Sequence, residues 1–117
     1  MQDDKIRLVE QKYSLFDLKE IAQERFGDMV KAVVDIEKEI MAIGGELHAD
    51  EEAFLLSLGS SQENLWGINL YVDIKFPDMI EFDSMINIRP GQNNKSRGVE
   101  DKILQEKILD IVQKLIG

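Results

Sequence analysis

The sequence predicts an α+β fold: a single domain over residues 1–117, with a mostly antiparallel sheet of about five strands and three helices. Three observations carry this. Residues 66–74 and 80–88 alternate apolar and polar side chains with the period of a half-buried strand. Residues 15–26 and 104–115 instead space their apolar positions three and four apart, as an amphipathic helix does. Finally, 117 residues supply one core and not two, and 44% hydrophobic against 32% charged residues with only 2 Pro is a folded globular composition.

Along the chain, Lys5 to Glu10 sets Ile6 and Leu8 on one face and Lys5, Arg7 and Val9 on the other, which reads as a first strand. Ser14 then precedes Leu15, Leu18, Ala22 and Phe26, with Asp17 three residues after it as in a capping box. Gly27 follows the last apolar position, where a left-handed backbone ends a helix. Residues 30–43 fit either period. The β-branched run Val33-Val34-Asp35-Ile36, the polar tip Glu37-Lys38-Glu39 and the terminating Gly44-Gly45 favour a β-hairpin over a helix.

Residues 49–58 read as a short helix, with acids at its positive N-terminal end and Gly59 beyond its last apolar residue. A long antiparallel hairpin follows: Trp66, Ile68, Leu70, Val72 and Ile74 alternate in one strand and Ile80, Phe82, Ile86 and Ile88 in the other, around residues 75–79. The polar segment 89–98 leads to Asp101, placed to cap a last helix whose stripe is Leu104, Ile108, Ile111 and Leu115. The order is β-α-β-β-α-β-β-α, with the helices expected on one face of the sheet.

A net charge of −9 and a pI of about 4.6 argue against nucleic acid and anionic lipid as partners. The absence of Cys excludes disulfides and thiolate chemistry and fits a reducing cytoplasm. No apolar run approaches the roughly 20 residues that span a bilayer, and the first residues lack the pattern of a signal peptide, so a cytoplasmic protein without membrane contact is expected.

Chemistry concentrates in a few places. Glu46-Leu47-His48-Ala49-Asp50 holds the single His, and in an extended segment its three polar side chains share a direction. His48 with Asp50 is a candidate acid/base pair. His48 with Asp35, Glu37 and Glu46 is a candidate ligand set for a divalent metal. The competing reading is that His48 starts the helix and Asp50 caps it. Residues 84–98 contain Arg89, Lys95 and Arg97 without one acid. Arg89, Asn93, Ser96 and Arg97 are therefore candidates for an anion or partner site, since arginine's planar fork and inward backbone N–H groups both suit anions. The alternative is a solvated loop whose Arg89 pairs with Glu81 or Asp83. Asn69 and Tyr71, opposite the apolar face of Trp66, would join Asn87 and Arg89 in a polar floor if the two hairpins pair side by side.

Gly-Gly-Glu-Leu-His-Ala-Asp at 44–50, Trp-Gly-Ile-Asn-Leu-Tyr at 66–71 and Asn-Ile-Arg-Pro at 87–90, together with residues 34–37, Gly59-Ser60, Asn93 and Ser96, resemble a domain-of-unknown-function family of small bacterial proteins. The resemblance covers residues 29–116. It implies one domain and brings no substrate, cofactor or catalytic residue. The leading expectation is a homo-oligomeric interaction or regulatory module, a homodimer or a docking unit for another protein, with Val9, Val33, Met41 and Ile43 as contacts on an open sheet face. The alternative is a small hydrolase of an anionic, phosphate-containing substrate, using His48 and Asp50 with Arg89 and Arg97. A role on nucleic acid through the basic loop, as in a toxin or antitoxin, ranks last because of the charge.

Overall fold

The computed structural model describes residues 4–117. Strand β1 (Arg7–Val9) is followed by helix α1 (Leu15–Arg25), the hairpin β2 (Met29–Asp35) and β3 (Ile40–Ile43), helix α2 (His48–Ser57), strand β4 (Leu65–Tyr71), a short β5 (Ile80–Glu81) and helix α3 (Lys102–Leu115). The sheet runs β1-β3-β2-β4-β5 and every pairing is antiparallel. The expected order of elements and the hairpin reading of residues 30–43 both hold.

Local chemistry explains the boundaries. Ser14 Oγ accepts from Asp17 N at 3.0 Å at the start of α1, and Asp101 accepts from Ile103 N at 2.9 Å at the start of α3. Gly27 ends α1 at φ 91°, its N–H donating back to Ala22 O at 2.7 Å. The β2–β3 turn is tied by Asp35, whose Oδ1 accepts from Glu37 N and Lys38 N and whose Oδ2 accepts from Ser60 Oγ. Glu39 in the same turn pairs with Lys107 at 2.9 Å and Lys114 at 3.1 Å, pinning α3 to the hairpin.

The sheet is covered on both faces, which corrects the expectation of helices on one. Ala32, Val34, Met41, Ile43, Trp66, Ile68 and Leu70 pack with Leu18 and Ala22 of α1 and Ile108, Ile111 and Val112 of α3. Val33, Ala42 and Leu65 point the other way and pack with Leu55 and Phe54 of α2 and with Ile86. Val9, Val33, Met41 and Ile43 are all buried. The sequence reading missed this because β2 is apolar at Val33 and Val34 alike, the pattern of a strand buried on both sides.

The long hairpin also needs correcting. β5 pairs with β4 only at Glu81 and Ile80, opposite Asn69 and Leu70. Beyond it the chain leaves the sheet edge and crosses onto the α2 face, where residues 85–87 make a 3-10 turn. Gly67 makes room for the crossing, since a Cβ there would lie 2.5 Å from Ser84 Cβ. The edge of β4 vacated by the strand is met by side chains. Asn87 accepts from Gly67 N at 2.8 Å and donates to Gly67 O at 3.0 Å, making the two bonds a neighbouring strand would make. Arg89 Nη2 donates to Leu65 O at 2.6 Å and Nη1 to Gln62 O.

Candidate functional site

Helix α2 covers the β3 side of its sheet face and leaves the β4–β5 side open. A hollow of about 430 Å³ lies there. Its floor is the outward row of the strands: Lys31 from β2, Asn69 and Tyr71 from β4, and Glu81 from β5. Its walls are Leu47, His48 and Ala49 at the start of α2, residues 83–86 of the crossing segment, and Arg97.

Register fixes the order of the floor. Lys31 is the cross-strand partner of Asn69, and Asn69 is the partner of Glu81. A cation, an amide and a carboxylate therefore stand in one line across three strands, with the ends about 10 Å apart between backbones. Glu81 Oε1 accepts from Asn69 Nδ2 at 2.8 Å and from Tyr71 Oη at 3.2 Å. Burial, and then the negative charge of Glu81, hold the Tyr71 hydroxyl above its ordinary pKa, so it remains a donor. Asn69 is 7% exposed, and its Oδ1 is buried without a hydrogen-bond partner. Leu47 and Met85, 55% and 66% exposed, add apolar surface at the rim.

His48 is 7% exposed, and its Nε2 lies 2.8 Å from Ile68 O. Because a carbonyl can only accept, Nε2 carries the proton and Nδ1 is the basic nitrogen. Burial lowers the His48 pKa; the bond to Ile68 opposes this, and Lys31 lowers it further. The ring is thus neutral at pH 7. Arg97 donates from Nε to Asp83 Oδ1 at 2.7 Å and is 56% exposed in its side chain, leaving both Nη groups without a protein partner among the described residues.

Of the residues singled out from sequence, His48, Asn69, Tyr71 and Arg97 come together in this hollow. Asp50 does not line it. Because α2 begins at His48, residues 48 and 50 are about 200° apart around the helix axis, and the shared direction expected of an extended segment is lost. Asp50 is not the cap either; the N-cap is Leu47, and Asp50 sits in the first turn. Arg89 is away from the hollow, with its guanidinium 4.0 Å over the Trp66 ring and bonded to two backbone carbonyls. The arginine that pairs with Asp83 is Arg97 rather than Arg89.

The rest of the polar loop is committed to itself. Asn94 donates to Asn87 O and Gly98 O, both at 2.8 Å, and accepts from Glu100 N. The backbone N–H groups of Lys95 and Ser96 both donate to Glu100 Oε2 at 2.8 Å. The anion that this loop suits is its own carboxylate, and those bonds lower the Glu100 pKa. Asn93 adopts a left-handed turn conformation and faces a separate cavity beside Trp66 and Ile103.

The proposed metal ligands Asp35, Glu37, Glu46 and His48 are not brought together. Asp35 is held in the hairpin turn, Glu37 accepts from Asn64, Glu46 pairs with Arg25 at 3.7 Å, and His48 bonds to Ile68. Among the described residues no group of three or more His, Asp or Glu side chains is placed to hold a metal ion. No helix among them is long and apolar enough to cross a membrane.

Lys31, Glu81 and Asp83 are site residues that the sequence reading did not select as such. Lys31 and Glu81 become legible only through strand register.

A family model described as "Protein of unknown function (DUF5674)" matches residues 7–115. No curated protein and no solved structure matches the chain.

Proposed function

We propose, because the chain belongs to the DUF5674 family, whose description names no activity, that its function lies in its own exposed chemistry: a binding module whose contact site is the hollow over β2, β4 and β5. The observation that carries this reading is the convergence of His48, Asn69, Tyr71 and Arg97 with Lys31 and Glu81 in one recess. Its size suits a small ligand or a single side chain of a partner, since such sites run about 300–1,000 Å³. Self-association has a weaker basis, as the apolar residues expected on an open face are buried beneath helices.

A second reading, hydrolysis of a phosphate-containing substrate, is favoured by one feature. His48, neutral and with Nδ1 as its basic nitrogen, lines the same recess as the free Nη groups of Arg97. Asp50 and Arg89 have no part in this version.

A thermal-unfolding screen of the full chain against acetate, phosphate, glycine, methylammonium and divalent metals tests both readings. A compound at about 100 times its dissociation constant stabilises the fold by roughly 2.7 kcal/mol, a shift of several degrees in a domain this size. Stabilisation in the wild type that is lost in Arg97→Ala supports the hollow. Stabilisation by acetate or phosphate that survives both Arg97→Ala and Lys31→Met, or by methylammonium that survives Glu81→Gln, moves the site elsewhere. Turnover of p-nitrophenyl phosphate that disappears in His48→Gln would promote the second reading.

A further inference from the structure

The charges around the hollow are ordered, and the order names a ligand class. Two cations, Lys31 and Arg97, and two carboxylates, Glu81 and Asp83, line it. A site for simple anions would face two like charges in its own wall, and a site for simple cations would face the two basic groups. Arg97 and Asp83 are joined to one another through Nε. What remains is the row across the sheet.

At one end of that row is Lys31, whose Nζ has no carboxylate partner among the described residues and lies 5.6 Å from the Phe26 ring centroid. At the other end is Glu81, which commits only Oε1 to Asn69 and Tyr71. Between them the Asn69 amide is spent within the protein, its Nδ2 donating to Glu81 Oε1 and Asp83 O. An ammonium group brings three donors and no acceptor, which is the complement of the free carboxylate oxygen of Glu81. A carboxylate brings only acceptors, the complement of Lys31 Nζ and the Nη groups of Arg97.

We propose that the hollow binds a zwitterion, a small amino acid or a similar molecule with one ammonium and one carboxylate end, laid along the Lys31–Asn69–Glu81 row. The ammonium sits at Glu81 and the carboxylate at Lys31. This inference rests on the hollow being the binding site. The spacing of the row sets a length preference as well. Flexible Lys31 and Glu81 side chains reach inward from backbones about 10 Å apart, so the ligand's two charges should be separated by a short aliphatic spacer.

Calorimetric titration of the full chain tests this with glycine, 4-aminobutyrate and 6-aminohexanoate, and with the one-ended controls butyrate and butylammonium. The expected result is that one member of the amino-acid series binds at least tenfold tighter than either control. Glu81→Gln and Lys31→Met should each remove at least tenfold of that affinity while leaving the circular dichroism spectrum unchanged. Glu81→Gln retains an acceptor for Asn69 and Tyr71, and the comparison among ligands on the wild-type chain needs no variant to fold. Butyrate or butylammonium binding as tightly as the best zwitterion overturns the zwitterion, and the loss of that binding in Lys31→Met or Glu81→Gln leaves the hollow as a site. Heats absent for all five compounds overturn the zwitterion, and a thermal screen equally silent overturns the hollow with it.

Discussion

Two polar regions of this chain look alike in composition and differ in what they leave unsatisfied. The segment from Arg89 to Glu100 is dense in amides and cations, yet Asn94, Arg89 and Glu100 close its hydrogen bonds internally or onto the edge of β4. The hollow over β2, β4 and β5 has no more polar side chains, but both Nη groups of Arg97 and one oxygen of Glu81 make no bond among the described residues, and Lys31 meets only the Phe26 ring. Polar density therefore does not measure binding capacity. Unmet donors and acceptors in a recess do, because a group already bonded gains little from exchanging one partner for another.

The comparison is broken most severely at Asn87. Asn87→Ala strips both hydrogen bonds from Gly67 in a buried edge and should cost about 3 kcal/mol, as expected for two buried backbone groups left unpaired. Urea unfolding measures this, and a loss below about 1 kcal/mol would mean that water replaces the side chain readily. The next largest effect contrasts two arginines eight positions apart in sequence. Arg89→Ala loses bonds to Gln62 O and Leu65 O and the stacking on Trp66, for about 2 kcal/mol. It should also shift the fluorescence of the single tryptophan. Arg97→Ala removes an exposed ion pair and should change stability by less than about 0.5 kcal/mol. Equal costs for the two would erase the distinction between a structural and an available arginine.

The smallest effect is one of pH. The folded-state pKa of His48 lies below its ordinary value of 6.5, mainly through burial. The unfolded chain therefore takes up the proton first as pH falls, so the stability present above pH 6.5 is lost as pH falls from 6.5 through the lower, folded pKa. His48→Gln should remove that part of the slope in unfolding free energy below pH 6.5. An unchanged slope would place the titration on another group.

Much of this fold is legible in the sequence. The caps at Ser14 and Asp101 and the breaker at Gly27 act within a few residues of themselves, so local pattern reveals them. β5 is different: Ile80, Phe82, Ile86 and Ile88 keep a strand's alternation, but Ile86 packs beneath α2 while Ile80 joins the other core layer. The crossing depends on Gly67 and Asn87 meeting from twenty positions apart, which periodicity does not register. The same holds for the site. Asn69 and Tyr71 are visible because they oppose Trp66 and Leu70 along one strand, whereas Lys31 and Glu81 join them only through pairing between strands. The loop misled because the stretch read as acid-free, residues 84–98, ends two residues short of Glu100, the carboxylate that fills it.

Amide chemical-shift mapping on the ¹⁵N-labelled full chain, titrated with 4-aminobutyrate, tests most directly whether the open recess and not the polar loop is the site. The predicted result is a saturable set of changes at Lys31, His48, Asn69, Tyr71, Glu81 and Arg97, with Asn93, Asn94 and Glu100 unmoved. Changes centred on Asn93 and Trp66, or none at saturating ligand, would contradict it.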